Sequence, residues 1–122
     1  MGRAVRDHCG LTRRQGEALA VILRSVLDRG RPPSYREMAR ALGLRVHGGV
    51  VVHLRVLARA GWIDWVEGDK DPRAIRIRGA TWRAAGGGRL RLELLFTEEG
   101  CRLADWLWGK IALPEKDTAL VA

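Results

Sequence analysis

Residues 34–61 constrain this chain more tightly than any other stretch of it. Ser34-Tyr35-Arg36-Glu37 has the form of a helix capping box, a hydroxyl residue followed three positions later by Glu. Met38, Ala39, Ala41 and Leu42 then supply a short apolar face, and Gly43 stops the helix where a left-handed residue is favoured. Leu44 follows as the apolar residue of the turn. A second helix is predicted from about His47 to Ala60, with Val50, Leu54, Leu57 and Ala58 on a core-facing stripe and Gly61 at its end. Two helices of this length joined by a tight glycine-containing turn form the helix-turn-helix pattern.

The flanking segments complete the unit. Upstream, Thr12-Arg13-Arg14-Gln15 is another capping box, and Leu19, Ile22, Leu23, Val26 and Leu27 recur at helical spacing before Gly30 and Pro32-Pro33 interrupt them. This predicts a first helix over residues 12–28. Downstream of Gly61, Trp62-Ile63-Asp64-Trp65-Val66 reads as a strand, residues 67–72 as a polar turn, and Arg73 to Arg78 alternates with period two. A hairpin directly after the third helix is a wing. Trp62 and Trp65 have opposite parity, so one is expected inside and the other near the surface.

Residues 80–84 are weakly strand-like, and Gly86-Gly87-Gly88 marks a turn. Leu90, Leu92, Leu94 and Phe96 fall on one face of an alternating run, and Thr97-Glu98-Glu99 starts a fourth helix that Pro114 ends. At 122 residues the chain is long enough for one core and short for two. The expected fold class is α+β: a winged helix-turn-helix of three helices plus a β-wing, with a C-terminal strand-helix extension. The predicted segments are an N-terminal arm (1–10), the winged domain (11–79), a hairpin-and-helix dimerisation unit (80–113) and a frayed tail (114–122).

The runs Leu11-Thr12-Arg13-Arg14-Gln15 and Pro32-Pro33-Ser34-Tyr35-Arg36-Glu37-Met38-Ala39-Arg40-Ala41-Leu42-Gly43 resemble the DNA-binding domain of the LexA-type repressors. The likeness continues through His53-Leu54-Arg55-Val56-Leu57-Ala58-Arg59-Ala60-Gly61-Trp62-Ile63 to Ala74-Ile75-Arg76-Ile77. It implies that the third helix enters the major groove while the wing contacts the backbone. In the same register the positions nearest the bases are Val46, Gly48, Gly49, Val51 and Val52, none of which carries the polar and acidic side chains of the family. The LexA-type repressors also continue into a self-cleaving Ser-Lys domain. The only serines here are Ser25 and Ser34, inside the helical unit, so autocleavage is not expected. Leu95-Phe96-Thr97-Glu98-Glu99-Gly100-Cys101-Arg102-Leu103 is instead similar to the segment after the wing in PadR- and MarR-type regulators, which implies dimerisation through Leu103, Trp106, Leu107, Trp108 and Ile111.

Charge separates the chain into two parts. Nine Arg against Asp7, Glu17, Asp28 and Glu37 give +5 over residues 1–44, and nine Arg with Lys70 against four acids give +6 over residues 45–91. Residues 92–122 carry −3. The first three quarters are therefore a candidate for binding a polyanion. The phosphate contacts expected are Ser34, Tyr35, Arg36, Arg45, Arg55, Lys70, Arg73 and Arg76, with His47, Gly48, Val51 and Val52 facing the groove. The expected partner is double-stranded DNA, bound by a homodimer. The alternative is a winged-helix adaptor that binds a protein of the transcription machinery and has lost base reading.

Other classes find little support in the residues. His8, His47, His53, Cys9 and Cys101 lack metal-ligand spacing, and no nucleophile-base pair or carboxylate pair presents itself, so no metal, cofactor or enzymatic activity is expected. No stretch approaches the roughly 20 apolar residues that span a bilayer, and the first residues lack the apolar core of a secretory signal. A cytoplasmic prokaryotic or viral protein is the corresponding expectation.

Overall fold

The computed structural model describes residues 11–45, 47–66, 74–84, 90–107 and 120–121. Helix α1 (Arg13–Arg29) starts at the predicted box: Gln15 N–H donates to Thr12 Oγ1 at 3.2 Å, and Thr12 N–H donates to Gln15 Oε1 at 3.0 Å. Helix α2 (Tyr35–Leu42) repeats the device, with Glu37 N–H on Ser34 Oγ at 3.1 Å and Ser34 N–H on Glu37 Oε1 at 2.8 Å. Each box satisfies two donors that a helix start leaves without intrahelical partners.

Helix α3 (His47–Arg59) follows α2 through a turn whose geometry requires glycine. Gly43 sits at φ 69°, and Leu44 N–H reaches back to Ala39 O at 2.7 Å. This left-handed stop consumes the last carbonyls of α2 and redirects the chain within a few residues. Val50, Leu54 and Leu57 are fully buried, as their spacing predicts, and Ala58 packs against them in part. Ala41 departs from expectation, because the face of α2 that carries it is exposed.

The wing is short at its base. Strand β1 (Ile63–Asp64) pairs antiparallel with β2 (Arg76–Ile77), and the tip between them lies outside the described residues. Ile63, Ile75 and Ile77 point into the core while Asp64 and Arg76 point out. Trp62 is buried and Trp65 half-buried, although parity with Ile63 would put Trp65 on the buried face: strand β1 is only Ile63–Asp64, and Trp62 precedes it in the turn that follows α3.

The extension forms a second sheet. Strand β3 (Ala80–Ala84) pairs antiparallel with β4 (Leu90–Leu94), which pairs in parallel with β5 (Leu120–Val121). The tail, expected to be frayed, is thus strand at residues 120–121. Leu92 and Leu94 are buried as predicted, but Phe96 is 91% exposed. The alternation fails there because β4 ends at Leu94, and Leu95 N–H makes its bond to Gly79 O at 2.9 Å.

Helix α4 (Glu98–Leu107) starts at Thr97, whose Oγ1 accepts from Gly100 N–H at 3.1 Å. Three of the five side chains expected to form a dimer surface fall among the described residues. Leu103, Trp106 and Leu107 are buried in the chain's own core, together with residues of α1, α2 and α3, so their apolar area is already spent. Trp106 meets Trp62 edge to face, with ring centroids 6.3 Å apart. Trp108 and Ile111 lie outside the described residues.

Candidate nucleic-acid interface

The α2–α3 turn leads directly into α3. Its leading end is open: a Cβ built on Gly48 would meet nothing within 4 Å. On a helix, residues four apart share a face, and four positions beyond Gly48 lies Val52, a large apolar side chain left 50% exposed. Val51 and Arg55 are half-buried beside this face. Of three consecutive valines, then, Val50 faces the core, Val52 faces out and Val51 lies between. His47 opens the helix, but its side chain, like Val46, lies outside the described residues.

The helix and turn that precede this end carry exposed cations. Arg36 and Arg40 on α2 and Arg45 in the turn are all exposed. Arg40 was not among the residues expected, although the signal for it is in the sequence. From Met38 to Ile63 there is no acidic residue, whereas four arginines fall in the interval. The basic surface has a limit at the far end of α3, where Arg59 lines a recess of about 220 Å³ with Glu98 and Glu99.

The N-terminal end of α2 is more committed than its hydroxyl and arginine content suggested. Ser34 Oγ already accepts the Glu37 N–H, which leaves the hydroxyl hydrogen to donate. Glu37 also accepts from Arg29 and, at 3.2 Å, from Arg31. The Ser34 backbone N–H and these guanidiniums hold its carboxyl at about 2, well below the usual range, so it stays ionised. The Tyr35 hydroxyl accepts a hydrogen bond from the Trp65 indole at 3.0 Å, joining α2 to the end of β1. The nominated Tyr35 is therefore also a strut between the helix-turn-helix and the wing.

Two further contacts fix the frame. Arg14 donates to Leu42 O, tying the start of α1 to the end of α2, and to Glu17 at 3.1 Å. Beside it, burial first and the Arg14 charge second push the His53 imidazole below its ordinary value. A neutral, partly packed His53 at neutral pH is a helix-packing residue.

The expected contacts do not all converge. Ser34, Tyr35, Arg36, Arg45, Gly48, Val51, Val52 and Arg55 belong to α2, α3 and their flanking turns. Arg76 stands apart on the wing, exposed beside a cavity of about 580 Å³ that Gly30, Arg31, Pro32 and Trp82 also line. Lys70 and Arg73 lie outside the described residues. Among the described residues there is no group of three or more His, Cys, Asp or Glu that would hold a metal ion, and no helix long and apolar enough to cross a membrane.

Comparison with known proteins agrees with this geometry. The model of the LexA DNA binding domain family matches residues 8–74. Among similar curated proteins, the LexA repressor of Sorangium cellulosum is 42% identical over 79 residues, which are 65% of this chain and 34% of that protein. The LexA repressor of Mycobacterium leprae is 40% identical over 93 residues, 76% of this chain and 39% of the relative. That of Mycobacterium ulcerans is 46% identical over 70 residues, 57% and 28% respectively. The chain thus spans about a third of the length of the relatives it matches.

Proposed function

This chain belongs to the LexA DNA-binding domain family, and on that premise we propose that it is a transcriptional regulator that binds duplex DNA without catalytic chemistry of its own. The observation that carries this reading is the leading end of α3. It is open to solvent and flanked by exposed arginines, within a stretch that contains no acid. A helix so presented fits the major groove, and exposed guanidiniums beside it suit phosphate oxygens. Arg36, Arg40 and Arg45 are the proposed phosphate contacts, with Arg55 and the Ser34 and Tyr35 hydroxyls at the margins. Gly48, Val51 and Val52 are the proposed groove-facing residues. The similar proteins are bacterial repressors, and a bacterial cytoplasm is the proposed place of action. The reading does not depend on a dimer: of the side chains expected to form one, Leu103, Trp106 and Leu107 are buried in the core.

Phosphate contact has a direct signature. Each neutralised phosphate contributes about 0.9 to the slope of log affinity against log salt on B-form DNA. Replacing Arg36 and Arg45 together by Gln should lower that slope by roughly 2 and weaken binding to all duplexes alike, as measured by fluorescence anisotropy across a salt series. An unchanged slope would remove this docking face from consideration.

A further inference from the structure

Among the described residues on the face that α3 offers to the groove, Gly48, Val51 and Val52 carry no hydrogen-bonding side chain. Base pairs display donors and acceptors in the major groove, but only one apolar feature, the C5-methyl group of thymine. Resting on the DNA-binding reading above, we infer that this chain reads its sites through C5-methyl groups, with Val52 as the specificity-determining contact and Gly48 as the bare backbone that lets α3 settle close to the bases.

Three observations favour a base edge as the occupant of this face. Val52 is half-exposed on a helix that buries Val50, Leu54 and Leu57, so the packing of the chain itself does not explain it. Gly48, on the same face one turn earlier, has open space where a Cβ would stand, so its small size is not required by any neighbour within the fold. Gly48 and Val52 fall in a run from Met38 to Ile63 that has no acid and includes the exposed Arg40 and Arg45, with Arg36 exposed on the preceding helix, which matches a polyanion better than an apolar protein surface. Gly49, by contrast, has an internal reason to be small, since its Cβ would stand 3.1 Å from Leu44 Cδ1.

The strength of such reading is limited by its chemistry. Burying one methyl is worth a factor of about four in affinity, whereas a bidentate side-chain pair discriminates by about 5- to 150-fold. The sites should therefore be rich in thymine steps and loosely defined, with most of the affinity coming from phosphates.

The test removes the methyl and nothing else. Duplexes selected from a random pool by the full chain are re-amplified with deoxyuridine in place of thymidine, and both pools are titrated at one salt concentration. The thymine pool should bind about fourfold more tightly per methyl buried. V52A, a truncation at an exposed position, should bind the two pools equally while keeping its thermal midpoint. Equal binding of the two pools by the unaltered chain would overturn the inference and leave the DNA-binding reading standing, as would a V52A variant that keeps the original preference. Failure to bind any duplex at low salt would overturn both, and capture of a protein partner through Val52 would then identify the other use of this face.

Discussion

The seat of the fourth helix on Leu95 at the end of β4, and on Gly79 at the end of the wing, can be broken by a single methyl group. Gly100 lies in the first turn of α4, and a Cβ there would stand 1.9 Å from Leu95 O and 3.0 Å from Gly79 O. Both are backbone atoms, so no side chain can swing aside. Cβ atoms essentially never approach closer than 3.0 Å, and α4 must therefore retreat by at least 1.1 Å in the Gly100→Ala variant. Leu103, Trp106 and Leu107 would retreat with it, all now fully or nearly fully buried. Burial of such side chains is worth about 1.5–3 kcal/mol each, and a radial gap near 1 Å forfeits roughly a quarter to a half of the contact energy. The loss is then about 1–4 kcal/mol, offset by up to about 1 kcal/mol from the better helix propensity of Ala. Urea unfolding followed by tryptophan fluorescence should show a lower midpoint at unchanged slope, together with an altered native spectrum as Trp62 and Trp106 separate. A Gly100→Ala protein as stable as the parent, within about 0.5 kcal/mol, would show that the packing of α4 against Leu95 and Gly79 is not as described.

The same substitution in α3 should have the opposite sign. Gly48→Ala places its methyl in open space and should stabilise the fold by about 0.4–1 kcal/mol, yet weaken duplex binding because the methyl holds the helix off the bases; thermal melting and anisotropy titration on one preparation check both. Gly49→Ala, which must displace Leu44 Cδ1 by a few tenths of an ångström, should gain less stability than Gly48→Ala in the same melt. For His53, burial lowers the folded pKa below its unfolded value of 6.5, so the unfolded chain binds more protons between the two values. The contribution is therefore fully present above about pH 6.5 and is lost as pH falls from there through the folded value. Urea midpoints measured between pH 7.5 and 5 should decline less steeply in His53→Gln than in the parent; identical pH profiles would refute the assignment.

What was legible in the sequence, and what was not, divides along the range of the interactions. Both capping boxes and the glycine that ends α2 are written within a few residues, and each was found where the pattern put it. The alternating run of the extension was legible only as far as Leu94. Its continuation to Phe96 failed because the partner runs out: the Leu95 N–H bond to Gly79 O is in register with the ladder, and at Gly79, with φ 84°, the partner chain turns away. The apolar stripe of α4 was legible as a stripe, and its described members Leu103, Trp106 and Leu107 lie in the chain's own core. Periodicity identifies the face a helix buries, and it carries no information about whether that face meets another chain or the same one. The proposed phosphate-binding face was legible in outline from charge, and Arg40 would have joined it had the absence of acids across residues 38–63 been weighed alongside the count of arginines.

The extension has a structural consequence for the proposed interface. The corner where α3 gives way to the wing turns at Gly61, with φ 83°, and Trp62 N–H closes it on Leu57 O at 3.0 Å. Arg102 of α4 donates to Gly61 O at 2.9 Å and lays its guanidinium over the Trp62 ring, 4.7 Å from the centroid. Trp106, one turn later, meets the same indole edge to face. From the other side, Arg78 at the end of the wing pairs with Glu99 at 3.1 Å. The surface pair adds little by itself, but the stacked and hydrogen-bonded contacts are shielded and converge on a single corner. The angle between α3 and the wing determines whether a groove contact and a backbone contact can be made at once. In this chain that angle is braced by residues beyond the matched family region, which makes the extension part of the machinery that presents α3.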